Sequence, residues 1–443
     1  MRLKKLDLKN FRLFSNFELE MPDSNLIVLV GNNGAGKTSI LDAIALCFTH
    51  FTGELLSKSE RYNIESWFLV DDVRHGNKEG KVTIDFEYEI PAQNEFFNNE
   101  NHTKSITVNR DINEPNLKFE KLPKGFVDRI KKLLNDNKLS SIPIIAYYNA
   151  NRTTSGTDRK STSSVTYNNM LIAYERALNI QEPNFASFEE WFIQQTRQEN
   201  AYKVEKEDLT IELPALKNVR QAFMSFIKEI EPGVYSDLVV KGESSVKTDF
   251  SERIKEFLSI EKNGTELKFK QLSNGERMVV GLVCEIARRL TIANDNAEDA
   301  LTGDGVVLID EIDLHLHPNW QRTIVSALQM TFPNVQFIIT THSPLVLSGI
   351  KRESLLLLKK GEVVPREDLP DIYSGTADEI LAELLNADPA IITFEAEKKE
   401  IDRLFNDMDF SNAERRLIEL EHKVGSSPKW LEDYRQRIAF AKA

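Results

Sequence analysis

The sequence predicts an α/β fold: a mixed sheet around a phosphate-binding loop, an antiparallel β-subdomain, an inserted helical lobe and a helical C-terminal tail. Three observations predict it. An apolar, β-branched run at residues 26–30 leads into a glycine-rich loop and then into helical periodicity. Two more short apolar runs, 306–309 and 336–340, are bounded like parallel strands buried on both faces. Between these blocks lies a long stretch of helical spacing, and the chain ends on charged helical patterns.

Residues 1–50 read as two strands, a loop and a helix. The first six residues alternate apolar and polar like a strand and lack the apolar core of a signal peptide. Gly31-Asn32-Asn33-Gly34-Ala35-Gly36-Lys37-Thr38 completes the pattern G-x-x-x-x-G-K-T, and Ser39 continues into the helix. Glycines let successive backbone N–H groups turn toward the β- and γ-phosphates of a nucleotide. Lys37 adds a positive charge there, and Thr38 offers a hydroxyl to Mg²⁺.

Residues 81–89 alternate as an antiparallel strand, 94–102 form a polar, asparagine-rich loop, 106–110 are a weaker strand, and 142–148 are a buried one. Composition then changes. A Ser/Thr/Gly-rich loop at 153–165 precedes helical patterns at 168–178, 188–205 and 216–230, broken at Pro183 and closed at Pro232-Gly233. Sustained heptads are absent from these patterns, which argues against long coiled-coil arms. Residues 238–241 and 267–270 return to strand. From Gln271 the order is helix, polar loop, strand, helix, strand, and from Pro370 the chain is helical and charged, with residues 425–428 as a turn between two helices. The expected organisation is an N-terminal ATPase part over 1–150, a mainly helical insertion over 151–265, a C-terminal ATPase part over 266–365 and a tail over 366–443.

Three further motifs follow the phosphate loop. Val306-Val307-Leu308-Ile309-Asp310-Glu311 places two acids at the C-terminal end of a strand, where α/β sheets bind ligands. Asp310 then holds Mg²⁺ directly or through water, and Glu311 is the base that orients the attacking water. Leu272-Ser273-Asn274-Gly275-Glu276 opens a helix as an S-x-x-E capping box. The same helix start, with its serine and glycine, suits an anion, and with a phosphate loop already present in each chain it would serve the nucleotide of a second subunit. His342 ends the strand at 336–340, where an imidazole can donate to a γ-phosphate or polarise water.

Composition narrows the class. The chain has 443 residues, enough for two or three packed units, and its apolar runs fall far short of a membrane span. A net charge of −13 argues against coating nucleic acid with the whole surface. A local basic patch at Lys121, Lys124, Arg129, Lys131, Lys132 and Lys138 would serve DNA or another nucleic acid; the plainer reading is a solvated helix face. Cys47 and Cys284 lie in apolar helical patterns and read as core thiols in a reducing cytoplasm.

This ordered set of motifs resembles the ATP-binding-cassette ATPases, especially the soluble branch of structural-maintenance-of-chromosomes and RecF-like proteins. The resemblance implies ATP and Mg²⁺ as cofactors. It implies roles for Ser273, Asn274, Gly275 and Glu276 as the family signature, with Asn for the usual first Gly and Glu for Gln. It implies that Ile312-Asp313 contacts the opposite subunit, that His342 is the switch histidine, and that Arg12 of Asn10-Phe11-Arg12 lies near the nucleotide. A clear glutamine loop is missing; residues 149–152 follow the appropriate strand in its place.

A narrower resemblance rests on residues 147–152, 310–318 and 374–381 and on the acidic terminal helices. It is to the bacterial ATP-binding proteins once linked to virulence, whose members are the ATPases of Septu and retron anti-phage systems beside an HNH-type nuclease. It implies a cytoplasmic ATPase that pairs head to tail around ATP and controls a separate nuclease. Two other readings stand beside it: a RecF-like repair ATPase that clamps DNA, and an ATPase-nuclease of the overcoming-lysogenisation-defect type. The last needs a metal-binding domain after the ATPase, and Asp407-Met408-Asp409 reads instead as a solvated turn between helices. The tail carries apolar stripes through Ile401, Leu404, Leu417, Leu420, Val424, Trp430, Leu431, Tyr434 and Ile438. A pair of helices cannot fully bury both of its stripes, so the tail is expected to dock a partner or another copy of the chain; the plainer reading is packing back on the ATPase core.

Overall fold

The computed structural model describes residues 1–56, 68–89, 103–114, 116–120, 122, 125–150, 169–178, 185–246, 252–294, 299–370, 377, 380, 384, 395–424 and 429–442. The chain divides into two compact units, Met1–Ile380 and Leu381–Ala443.

The first unit contains the expected α/β arrangement. Strands β1 (Arg2–Phe11) and β2 (Phe14–Glu20) form a hairpin, followed by β3 (Leu26–Gly31) and helix α1 (Lys37–Leu55). Then come β4 (Glu79–Glu87), β5 (Thr103–Asp111), β6 (Lys118–Glu120), α2 (Phe126–Asn135) and β7 (Ile144–Tyr148). Helices α3 (Phe185–Glu205) and α4 (Pro214–Ile230) precede β8 (Tyr235–Val246), β9 (Glu252–Lys262) and β10 (Thr265–Lys268). The unit continues with α5 (Asn274–Ala293), β11 (Gly305–Ile309), α6 (Pro318–Thr331), β12 (Val335–Thr340), α7 (Pro344–Leu347), β13 (Leu355–Lys359) and β14 (Glu362–Val363).

A six-stranded sheet runs β14-β13-β3-β12-β11-β7, parallel except for the terminal β13–β14 hairpin. Strands β3, β11 and β12 are buried along their whole length, in keeping with their mostly apolar sequences. A five-stranded antiparallel sheet, β2-β1-β4-β5-β6, alternates apolar and polar positions. Helix α1 contacts strands of both sheets, and fifteen of its nineteen residues are buried. That explains its all-round apolar sequence, since a helix covered on two sides has no polar face to spare. Each fully buried Leu, Ile or Phe there contributes about 1.5–3 kcal/mol. Cys47 sits in this core and Cys284 in α5; both are free thiols, and burial pushes both far up, away from reactivity.

Several elements differ from the sequence reading. Residues 238–241 are the middle of the much longer β8, which pairs with β9, itself paired with β10, in a separate three-stranded sheet. The stretch 151–265 therefore mixes helix and sheet. The 168–178 pattern yields a 3₁₀ turn, Asn169–Tyr174, and 267–270 divides between the end of β10 and a 3₁₀ turn, Phe269–Gln271. The 153–165 loop, Pro183, the 94–102 loop, Lys121, Lys124 and most of 374–381 lie outside the described residues. Of the basic patch, Arg129, Lys131 and Lys132 stand on the solvated side of α2, opposite buried Phe126, Ile130 and Leu134.

Among the described residues the second unit has three helices, Glu395–Asn406, Phe410–Val424 and Lys429–Lys442. Their stripes meet in one cluster of Ile401, Ala413, Leu417, Leu420, Leu431 and Ile438, flanked by Leu404, Phe405, Phe410 and Tyr434. The third helix supplies the cover that a pair lacks, so the stripes do not call for a partner. Asp407-Met408-Asp409 is an inter-helix turn: Met408 has φ 57°, and Asp409 accepts from the Asn412 N–H at 3.2 Å. No described group of three or more His, Cys, Asp or Glu side chains is arranged to hold a metal by itself.

Candidate nucleotide site

The phosphate loop spans the gap between β3 and α1. Within it the Ala35 N–H donates to the Asn32 carbonyl at 3.0 Å. Gly36 has φ 102°, and a Cβ there would stand 2.5 Å from the Phe14 ring, so only glycine fits. Phe14 begins β2, so the first hairpin forms the floor of the loop. Lys37 is buried and bends back across the loop, donating to the carbonyls of Gly31 at 2.8 Å and Asn32 at 3.2 Å. Burial lowers its pKa, against the opposing pull of Asp310, Glu311 and Asp313.

The parallel register Ile309↔Ile339 brings the ends of β11 and β12 side by side. Asp310 follows at once and is buried. Its carboxylate accepts from Thr38 Oγ1 at 3.0 Å and from Thr340 Oγ1 at 2.6 Å. Thr340 Oγ1 in turn accepts from the Glu311 N–H at 2.7 Å. That bond fixes Glu311 in the left-handed region, φ 48°, a conformation a non-glycine residue holds only when its surroundings enforce it. Asp313 accepts from Thr341 Oγ1 at 2.6 Å. His342, two residues beyond β12, is half-buried; burial and then the Lys37 charge lower its pKa, so the imidazole is neutral near pH 7. The loop, Asp310, Glu311, Asp313 and His342 thus share one electrostatic neighbourhood.

These residues fit a magnesium nucleotide. The loop has glycine where a side chain would clash, a buried ammonium, and a Thr–Asp pair of oxygen donors suited to a hard divalent ion. Gly31, Gly34, Gly36, Lys37 and the backbone of Asn32, Asn33, Ala35, Thr38 and Ser39 would hold the phosphates. Thr38 and Asp310 would hold the metal.

Arg12 lies beside this loop but is already engaged. Its guanidinium donates to Asp42 at 2.6 Å, to Asp72 at 2.8 Å and to Ser39 Oγ at 3.3 Å. Tyr147 OH donates to the other Asp42 oxygen at 2.8 Å. Asp42, Asp72, Tyr147, Thr340 and Thr341 had no role in the sequence reading. Of these only Thr340-Thr341, beside His342, carried a usable signal.

The signature residues open α5. Ser273 caps the helix, accepting from the Glu276 N–H at 3.3 Å, while Glu276 accepts from the Ser273 N–H at 2.8 Å. The capping box is therefore real, and it does not conflict with an anion-binding role. Ser273 and Asn274 are exposed, whereas Gly275 is buried. Glu276 also accepts from Tyr235 OH and Lys262 Nζ. Burial raises its pKa, but the bonds from Lys262, Ser273 and Tyr235 outweigh it and hold the carboxyl at about 2. Asn149 and Ala150 follow β7, while Asn151 and Arg152 lie outside the described residues.

Residues 26–348 match the family described as "AAA domain, putative AbiEii toxin, Type IV TA system". The chain is 29% identical over 394 residues to the retron Vc95 probable ATPase of Vibrio cholerae serotype O1 biovar El Tor, covering 81% of this chain and 74% of that protein. It is 30% identical over 412 residues to the retron Ec83 probable ATPase of Escherichia coli, covering 82% and 72%. A shorter match, 40% over 95 residues, is to the Septu protein PtuA of Bacillus mycoides strain KBAB4, covering 21% of this chain and 13% of that one.

Proposed function

The chain belongs to this AAA-domain ATPase family, and we propose that it binds Mg²⁺ and ATP at the loop of residues 31–39 and hydrolyses ATP in a site completed by a second copy. The observation that supports this most directly is the continuous path Thr38–Asp310–Thr340–Glu311, which joins the loop to the acid strand. Lys37 supplies positive charge to the β- and γ-phosphates. Mg²⁺ at Thr38 and Asp310 would neutralise phosphate charge. Glu311 takes the proton of the attacking water, and neutral His342 orients that water or donates to the γ-phosphate. Arg12 lies near the same phosphates. Ser273, Asn274, Gly275 and Glu276, with Asp313, face the nucleotide of the partner copy.

The likeness to two retron ATPases supports our biological reading of the chain as a defence ATPase whose ATP state controls a separate nuclease, most simply of HNH type. No described helix is long and apolar enough to cross a membrane.

Sedimentation of the Glu311→Gln protein tests the composite site. This change keeps the oxygen ligands and removes the base, so Mg²⁺ and ATP should trap a dimer. Ser273→Arg should abolish both trapping and hydrolysis while ATP still binds. A Glu311→Gln protein that binds ATP yet stays monomeric defeats the two-copy site. Co-purification of a nuclease with the full-length chain tests the defence reading, and its absence would count against it.

A further inference from the structure

Helix α1 uses one face twice. Thr38 and Asp42 are four residues apart, one turn along the helix and on the same side. Thr38 meets Asp310 at the end of β11, and Asp42 meets Tyr147 in β7. Strands β11 and β7 are neighbours, with Ile309 opposite Tyr148, and the Asp310 N–H donates to the Tyr148 carbonyl at 2.8 Å. The contacts close a ring: Thr38, Asp310, the Tyr148 backbone, the Tyr147 side chain, Asp42 and back along α1. Arg12 braces the ring from outside. It spans Asp42 and Asp72 and reaches Ser39, the neighbour of Thr38.

Asp42 is an unusual residue to place there. Its side chain is only 12% exposed, in a helix otherwise packed with apolar residues. A buried carboxylate is costly unless it is fully paired, and a merely structural position would be filled at less cost by leucine. Here both oxygens are used, one by a neutral hydroxyl and one by a guanidinium. The pair holds three separate elements, the first hairpin, the turn at Val70–Asp72 and β7, against the first two turns of the phosphate-loop helix.

We infer that Asp42 is a positioning residue for hydrolysis: through Tyr147 and Arg12 it fixes Thr38 relative to Asp310, and so sets the geometry at which this pair can share one divalent ion. The inference rests on the ATPase reading above. It assigns Asp42 no contact with nucleotide. Its loss should therefore act on metal use and turnover more than on nucleotide affinity.

The test uses the full chain. Asp42→Ala should lower kcat by on the order of 100-fold, the cost of an ångström-scale misplacement. The Mg²⁺ concentration for half-maximal rate should rise, while ADP affinity without metal stays within about 3-fold. Tyr147→Phe should show the same pattern more weakly. Adding Arg12→Ala to Asp42→Ala should cost less than the sum of the single effects, because the two act as one unit. If Asp42→Ala does not fold, Asp42→Asn preserves the shape, and it and Tyr147→Phe carry the test. Variants that lose thermal stability but keep kcat and Mg²⁺ dependence would overturn the inference. A wild-type chain that neither binds nor hydrolyses ATP would defeat the ATPase reading instead.

Discussion

Gly275 and His315 press backbone against backbone: a Cβ on Gly275 would stand 2.3 Å from the His315 carbonyl oxygen. His315 is itself in the left-handed region, φ 63°, so the loop after the acid strand is bent toward the start of α5. The two segments expected to face a second subunit are therefore fitted to each other within one chain. An alanine at 275 cannot be absorbed by a side-chain shift, because the obstruction is a peptide carbonyl.

Gly275→Ala should therefore destabilise the protein by about 1–3 kcal/mol, the usual cost of overpacking. It should also displace the loop carrying Asp313 and depress hydrolysis, while the phosphate loop keeps its affinity. Chemical denaturation and nucleotide calorimetry on the same variant check both halves. A variant with unchanged stability would show that the loop yields freely.

Lys37 gives a second prediction. Its Nζ donates to the Gly31 and Asn32 carbonyls, which places the ammonium within the loop. Hydrogen bonds to charged groups are worth about 1.5–3 kcal/mol, and Lys37→Ala should weaken ATP binding about 10- to 100-fold. Unchanged affinity by calorimetry would place the nucleotide elsewhere.

The contrast between Lys37 and Asp42 shows what the sequence could reveal. The loop, the acids after β11 and the histidine after β12 are local patterns, each a strand end followed by its candidate residue, and their places in the fold were legible. Asp42, Asp72 and Tyr147 come from three distant segments, and a single aspartate in a helix carries no period or spacing to mark it. Strand β9 was missed because Glu252, Arg253, Lys255, Glu256, Glu261 and Lys262 make it look like a charged surface segment. Strand β13 begins with four consecutive leucines, without the alternation or β-branching that signals a strand. The packing of the tail was less legible for a related reason: a stripe shows that a face is covered, not what covers it.

Glu276 provides a pH prediction. Its folded value of about 2 lies below the ordinary 4.5, so the folded state favours the carboxylate. The resulting stability is fully present above about pH 4.5 and is lost as pH falls toward 2. Glu276→Gln should remove that slope and cost about 1.5–3 kcal/mol at neutral pH, mostly by weakening the bond from Lys262. Denaturation midpoints measured between pH 5 and pH 2 compare the two chains. Parallel curves would mean that the Lys262–Glu276 pair adds nothing in solution.

The tail yields the last prediction. Leu417 is buried at the centre of the cluster that joins the three terminal helices. Truncating a buried leucine to alanine costs about 2–5 kcal/mol through lost transfer energy and the cavity left behind. A three-helix unit of this size has little stability to lose. Leu417→Ala should therefore open residues 395–442 while leaving the ATPase unit folded, since the chain divides at residue 380 and each side has its own core. Hydrogen exchange should show faster exchange in all three terminal helices together and unchanged protection in α1 and β11. Faster exchange in the middle helix alone would mean that the three helices are not one cooperative unit. If the tail docks the nuclease, the same variant should lose the partner and keep ATP affinity.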